Sequence, residues 1–188
     1  DVLTSRGLGD VYKRQMDDYP LKMHVFNRAR LIKNSKNRIP YGVDLIQKYK
    51  RESWIVFTEN KKQAKEFNKI INTKGFKSAL YNTDLDSTER LENLNKFKKA
   101  DLNVLVTCTA LDEGFDMPEA DGALILSASS SKRQRVQRMG RVLRITENKP
   151  NALIVTVYSS KTEFDKLMEE AKRYHKEGVP VSWKRQDR

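Results

Sequence analysis

Cysteine is almost missing from this chain. Cys108 stands alone, so no internal disulfide can form, and with only two histidines no zinc-type ligand cluster can be assembled. Long apolar runs are missing too. None approaches the roughly 20 residues that a helix needs to cross a bilayer, and no leader with an apolar core is visible. There is no internal repeat and no low-complexity segment. Two motifs are absent as well. No Gly-x-x-x-x-Gly-Lys-[Ser/Thr] run supplies a phosphate-cradling loop, and no Asp-Glu pair followed by Ala/Cys-Asp/His supplies a magnesium-binding box. Alone, the chain therefore lacks the parts that hold a nucleoside triphosphate with its metal. These absences describe a soluble, cytoplasmic chain with no metal site of its own.

Positive charge, by contrast, is plentiful. A formal charge of +12 on 188 residues points to a polyanionic partner, because lysine and arginine neutralise phosphates with release of counterions. Residues 1–15 need separate treatment. Asp10-Val-Tyr-Lys-Arg-Gln15 resembles the translation of a transposase-type sequencing-adapter end, and Ser5-Arg6-Gly7-Leu8-Gly9 resembles the rest of that adapter in the same frame. Such a segment contributes nothing to the fold expected of the rest of the chain. The resemblance implies that native sequence precedes Met16 in the intact protein.

Residues 16–51 show no strand pattern. Leu31, Ile32, Ile39, Val43, Leu45, Ile46 and Tyr49 give two amphipathic helical pieces, broken near residues 34–40. Pro40 disfavours helix at Ile39 and suits an early helical position itself. Arg28, Arg30, Lys33, Lys36 and Arg38 line the first piece, either as a solvated face or as part of a connector. From Trp54 onward the pattern changes. Short apolar runs at 54–57, 78–81, 104–106, 123–126 and 152–157 have the length and continuity of buried parallel strands.

Helical spacing fills the gaps between them. Ala64, Phe67, Ile70 and Ile71 share one face ahead of a capping Gly75. Asp86 and Glu89 stand at capping-pair spacing before Leu91, Leu94 and Phe97. Phe164, Leu167, Met168 and Ala171 are expected inward on a helix over about 162–174. Repeated strand–helix units predict an α/β fold of three layers, a mainly parallel sheet with helices on both faces. The expected division is a helical connector at 16–51, the α/β domain at 52–176 and a tail at 177–188.

Each apolar run hands over to hydroxyl or amide residues: Thr58-Glu59-Asn60, Asn82-Thr83-Asp84, Thr107-Cys108-Thr109, Ser127 to Ser131, and Ser159-Ser160. In open parallel sheets ligands bind beyond the carboxyl ends of the strands, where such residues and free N–H groups can hold phosphates. Helix capping accounts for the same residue types, and the two uses are compatible.

Two further stretches carry more information. Residues 104–118 read Val-Leu-Val-Thr-Cys-Thr-Ala-Leu-Asp-Glu-Gly-Phe-Asp-Met-Pro. Residues 136–144 read Val-Gln-Arg-Met-Gly-Arg-Val-Leu-Arg. Ser131 and Gln134 stand at capping-box spacing, so a helix is predicted to start just after Ser131. On it Gln137, Arg141 and Arg144 share one face and Val136, Met139 and Leu143 another. Taken alone, that arrangement also describes a solvated basic face.

Together the two stretches resemble motifs V and VI of superfamily 2 helicases, with the XPB-type DNA helicases most similar. The resemblance covers about residues 28–158, although the turn at 127–131 lacks a glycine often found in the XPB-type pattern. It implies a RecA-like second motor lobe that closes on an N-terminal RecA-like lobe of the same protein over ATP and magnesium, which that missing lobe mainly binds. DNA, or RNA, would lie across both. Within that resemblance Arg141 and Arg144 match the catalytic arginine fingers. Gly114, Asp116, Gln137 and Arg138 match positions that approach the nucleotide. Thr58, Asn82, Thr83 and Thr107 match contacts to the nucleic-acid backbone. The chain alone is expected to be inactive. The alternatives are a restriction- or remodelling-type translocase subunit that does not separate strands, and a nucleic-acid-binding scaffold that never hydrolyses ATP.

Overall fold

A computed structural model describes residue 35 and residues 37–108, 119–126 and 152–183. Helix α1 (Arg38–Tyr49) precedes strand β1 (Trp54–Thr58), helix α2 (Lys61–Thr73) and strand β2 (Ser78–Tyr81). Helix α3 (Ser87–Lys98), strands β3 (Val104–Cys108), β4 (Gly122–Ile125) and β5 (Leu153–Thr156), and helix α4 (Lys161–Lys176) follow. The described strands form one sheet in the order β2-β3-β1-β4-β5, every neighbouring pair parallel. β1, β3 and β4 are buried along their whole length, whereas β2 and β5 at the edges are only half-buried.

Continuous apolar runs are what a sheet covered on both faces needs. Trp54, Val56, Val104, Val106 and Leu124 point to one face, where they pack with Ile39, Val43 and Ile46 of α1 and Ala64, Phe67 and Ile71 of α2. Ile55, Phe57, Leu105, Ala123 and Ile125 point to the other, against Leu94 and Phe97 of α3. The expected three-layer α/β architecture is therefore present. Among the described residues no helix is long and apolar enough to cross a membrane.

Local signals behave as their chemistry dictates. Asn60, Asp86 and Ser160 each accept a hydrogen bond from the backbone N–H three residues on, capping α2, α3 and α4. Gly75 follows α2 with φ of 86°, a conformation that costs a residue without Cβ little.

Four expectations need correction. Ile39 is helical although it precedes Pro40, because α1 begins at Arg38 and Pro40 falls in the first turn, where its missing N–H would have no intrahelical partner anyway. Leu91 is 57% exposed. Positions three apart drift by about 60° around a helix, and α3 lies over the sheet edge formed by β2 and β3, so only Leu94 and Phe97 reach the core. Phe164 and Met168 are half-buried, and the inward face of α4 is carried by Leu167 and Ala171 with Glu163 and Glu170. Arg38, grouped with a row of surface cations by sequence, is 2% exposed.

Gly122 is the tightest position in the sheet. A Cβ built there would lie 2.6 Å from Cε3 of the Trp54 ring, and Trp54 itself is fully buried. Gly122→Ala is expected to destabilise the domain by about 1–3 kcal/mol through overpacking, read from the midpoint of chemical denaturation. Leu91→Ser, at an exposed site, should stay within about 0.5 kcal/mol of the parent in the same assay.

Candidate functional site

Because the sheet is parallel, all five described strands end at one edge. The chain leaves β1 towards β2 on one side of the sheet and leaves β4 towards β5 on the other. Diverging connections of this kind open a crevice beyond the carboxyl ends of the two central strands. Thr58 closes β1 there, paired in register with Cys108 of β3, while Thr107 pairs with Phe57 and with Tyr81 of β2. The four sequence-selected residues within the described part, Thr58, Asn82, Thr83 and Thr107, thus lie at the ends of three adjacent strands.

Their side chains differ in what they offer. Thr58 is 2% exposed, and its hydroxyl donates to the carbonyl of Thr107 at 3.0 Å and to that of Asn60 at 3.2 Å. Thr107 is equally buried and donates to the Cys108 carbonyl at 3.3 Å. The Thr58 hydroxyl therefore ties the loop after β1 and the end of β1 to β3, whereas that of Thr107 stays within its own strand. Asn82 is 4% exposed; its Oδ1 accepts from the backbone N–H of Asp84 at 3.0 Å, an Asx turn that shapes the loop after β2. Its Nδ2 has no partner among the described residues, an arrangement that costs about 1–3 kcal/mol when a buried donor stays unpaired. Thr83, next in the loop, is exposed. Gly114, Asp116, Gln137, Arg138, Arg141 and Arg144 lie outside the described residues, as does the adapter-like segment 1–15.

Sequence reasoning missed a charged group at this edge. Asp84 accepts from the ammonium groups of Lys61 and Lys65, the latter at 3.1 Å. Lys61 and Lys65 stand one helical turn apart at the start of α2, and Asp84 lies two residues beyond Asn82. The available signal was the i, i+4 lysine pair immediately after β1. The hydrogen bond from Lys61, then that from Lys65, holds the Asp84 carboxyl below its ordinary range. Among the described residues no three His, Cys, Asp or Glu side chains are grouped to hold a metal ion. The described edge thus provides one exposed hydroxyl, one buried amide donor and two lysines bridged by a carboxylate. Such a set suits contact with a phosphate backbone.

Comparison with known proteins gives a consistent answer. The family model described as helicase conserved C-terminal domain matches residues 37–146. DNA 3'-5' translocase XPB2 of Sulfurisphaera tokodaii is 36% identical over 129 residues, covering 69% of this chain and 28% of that protein. UvrABC system protein B of Fusobacterium nucleatum is 31% identical over 125 residues, covering 63% of this chain and 19% of its own length. The chain thus spans less than a third of the length of these relatives. Among solved structures, the C-terminal domain of the DEAD-box protein Dbp5 superposes with a TM-score of 0.66 at 21% identity, over 77% of this chain and 82% of that one, which shows the same fold.

A folded-state carboxyl pKa that is depressed contributes stability above the unfolded pKa and loses it as pH falls through the folded one. The tie between Asp84 and the two lysines is therefore present at neutral pH and is released on acidification. Lys61→Met should raise the titration midpoint of the Asp84 carboxyl towards the ordinary carboxylate range, followed by carbon-detected NMR. Melting should be almost unchanged, because the pair is solvent-exposed.

Proposed function

The chain belongs to the helicase conserved C-terminal domain family of superfamily 2, and from that premise we propose that it is the second motor lobe of an ATP-dependent DNA helicase or translocase. The observation that carries this reading is the extent of the family match. It runs unbroken from the start of α1, through the strand ends that bear Thr58, Asn82, Thr83 and Thr107, to the stretch that bears Gln137, Arg138, Arg141 and Arg144. The XPB2 relative, a DNA translocase by name, favours DNA over RNA.

In this reading the crevice beyond β1 and β4 faces an N-terminal lobe that holds ATP and magnesium, and Gly114, Asp116, Gln137 and Arg138 approach the nucleotide from this side. Arg141 and Arg144 each present a planar guanidinium with parallel N–H donors, matched to the oxygens over which charge spreads during phosphoryl transfer. The loop after β2 and the lysines of α2 meet the phosphate backbone, which positions a strand without reading its bases. Closing and opening of the two lobes would then move that strand along the edge of the sheet. This chain supplies donors on both sides of the cycle, and the phosphate loop and metal-binding carboxylates come from the other lobe.

In a protein carrying both lobes, Arg141→Lys or Arg144→Lys should collapse ATP turnover and leave the fold intact. Arginine fingers are worth about 10³–10⁵ in rate, or roughly 4–7 kcal/mol of barrier, whereas an exposed ion pair is worth only about 0–1 kcal/mol. One steady-state assay therefore separates a finger from a solvated basic face. Turnover within about fivefold of the parent for both variants defeats the finger assignment. Parental turnover that drives movement on DNA without strand separation identifies the non-unwinding translocase. A two-lobe protein that binds DNA but has no turnover before any substitution identifies the scaffold.

A further inference from the structure

Arg38 is the first residue of α1, and its side chain is 1% exposed. Nη1 donates to the carbonyl of Leu126 at 2.6 Å and to that of Val157 at 3.0 Å. Nη2 donates to Ser159 Oγ at 2.6 Å and to Oε1 and Oε2 of Glu163 at 2.7 and 2.6 Å. Glu163 in turn accepts from the Ser159 backbone N–H at 2.8 Å. Leu126 and Val157 are the residues that immediately follow β4 and β5, which pair side by side up to Ile125 and Thr156. At the end of a ladder such carbonyls need donors from elsewhere. One guanidinium supplies both strand exits and fixes the first turn of α4 against them.

Stability alone is a poor account of this arrangement. Burying a guanidinium and a carboxylate carries a large desolvation cost, and well-packed apolar residues of similar volume often serve a fold as well or better. What the pair does supply is geometry. Five contacts from one guanidinium leave little freedom for the two exits, and a lysine, with a single point of charge, cannot reproduce the fork.

Beyond Leu126 the chain continues into residues 127–151, which contain Gln137, Arg138, Arg141 and Arg144, and it re-enters the sheet at the start of β5, on the edge opposite Val157. We propose that Arg38 is a positioning residue for ATP turnover: by tying the carbonyl that ends β4 to the end of β5 and to Glu163 of α4, it fixes where the arginine-bearing stretch leaves the sheet. This rests on the reading of Arg141 and Arg144 as fingers. A misplacement of about 1 Å at a reacting group can cost on the order of a hundredfold in rate, so an anchor remote in sequence can govern turnover without touching the nucleotide.

The test changes both partners together, Arg38→Met with Glu163→Met in the two-lobe protein, so that neither charge is left buried alone. A melting temperature close to the parent, ATP KM and DNA affinity within about threefold, and kcat lowered by about tenfold or more is the expected result. Parental melting with kcat within about threefold of the parent shows that Arg38 only holds the fold, and overturns the proposal. If the double variant does not fold, Arg38→Lys is measured per folded molecule. Loss of kcat by about tenfold at unchanged KM then supports positioning, and parental kcat overturns it. Arg141→Lys and Arg144→Lys are assayed alongside. Parental turnover in both removes the finger reading and this proposal with it, whereas collapse in either beside unaffected Arg38 variants defeats the positioning role alone.

Discussion

Parallel pairing is the constraint on which the rest of the molecule depends. A parallel ladder cannot be closed by a two-residue turn, so each connection must travel the length of a face before the next strand begins. That requirement puts α2 on one face and α3 on the other, and it makes continuous apolar runs necessary in β1, β3 and β4. It also gathers every strand end at one edge. In open parallel sheets ligands bind beyond that edge, and the opposite edge can be given over to packing. There Trp54 lies against Gly122 so closely that no Cβ fits between them.

Much of this was legible in the sequence because the determining interactions are local. The five apolar runs mark the five described strands to within two residues. Asn60, Asp86 and Ser160 announce three helix starts through a hydrogen bond to the residue three places on, and Gly75 announces an end. What the sequence did not reveal depends on partners far along the chain. Arg38 bonds to residues 88, 119, 121 and 125 positions away, and nothing in its neighbourhood distinguishes it from Lys33 or Lys36. Leu91 failed for a related reason. Helical spacing states which residues share a face, but not how far the helix hangs over the margin of a sheet whose strand order was still unknown.

The edge residues show the same division. Sequence alone offers two uses for a hydroxyl or amide after a strand, capping and phosphate contact, and both readings carry weight until partners are known. Thr58 and Thr107 spend their donors on backbone carbonyls, so any part their hydroxyls play at a phosphate would have to be indirect, through the backbone they hold in place. Asn82 is different. One end of its amide shapes the loop and the other has no partner among the described residues.

Electrostatics at that edge follow from the same geometry. The overall charge of +12 would favour a polyanionic partner of the kind proposed, but long-range attraction between exposed charges fades beyond roughly 8–10 Å at ordinary ionic strength. Local arrangement would therefore decide where such a strand settles. Lys61 and Lys65 sit at the start of α2, where the positive end of the helix dipole adds to their charge, yet Asp84 lies between them and cancels part of it. A phosphate arriving there would compete with a carboxylate already in place and would not meet two free ammonium groups. Net affinity from this pair is the difference between two similar interactions and so is small.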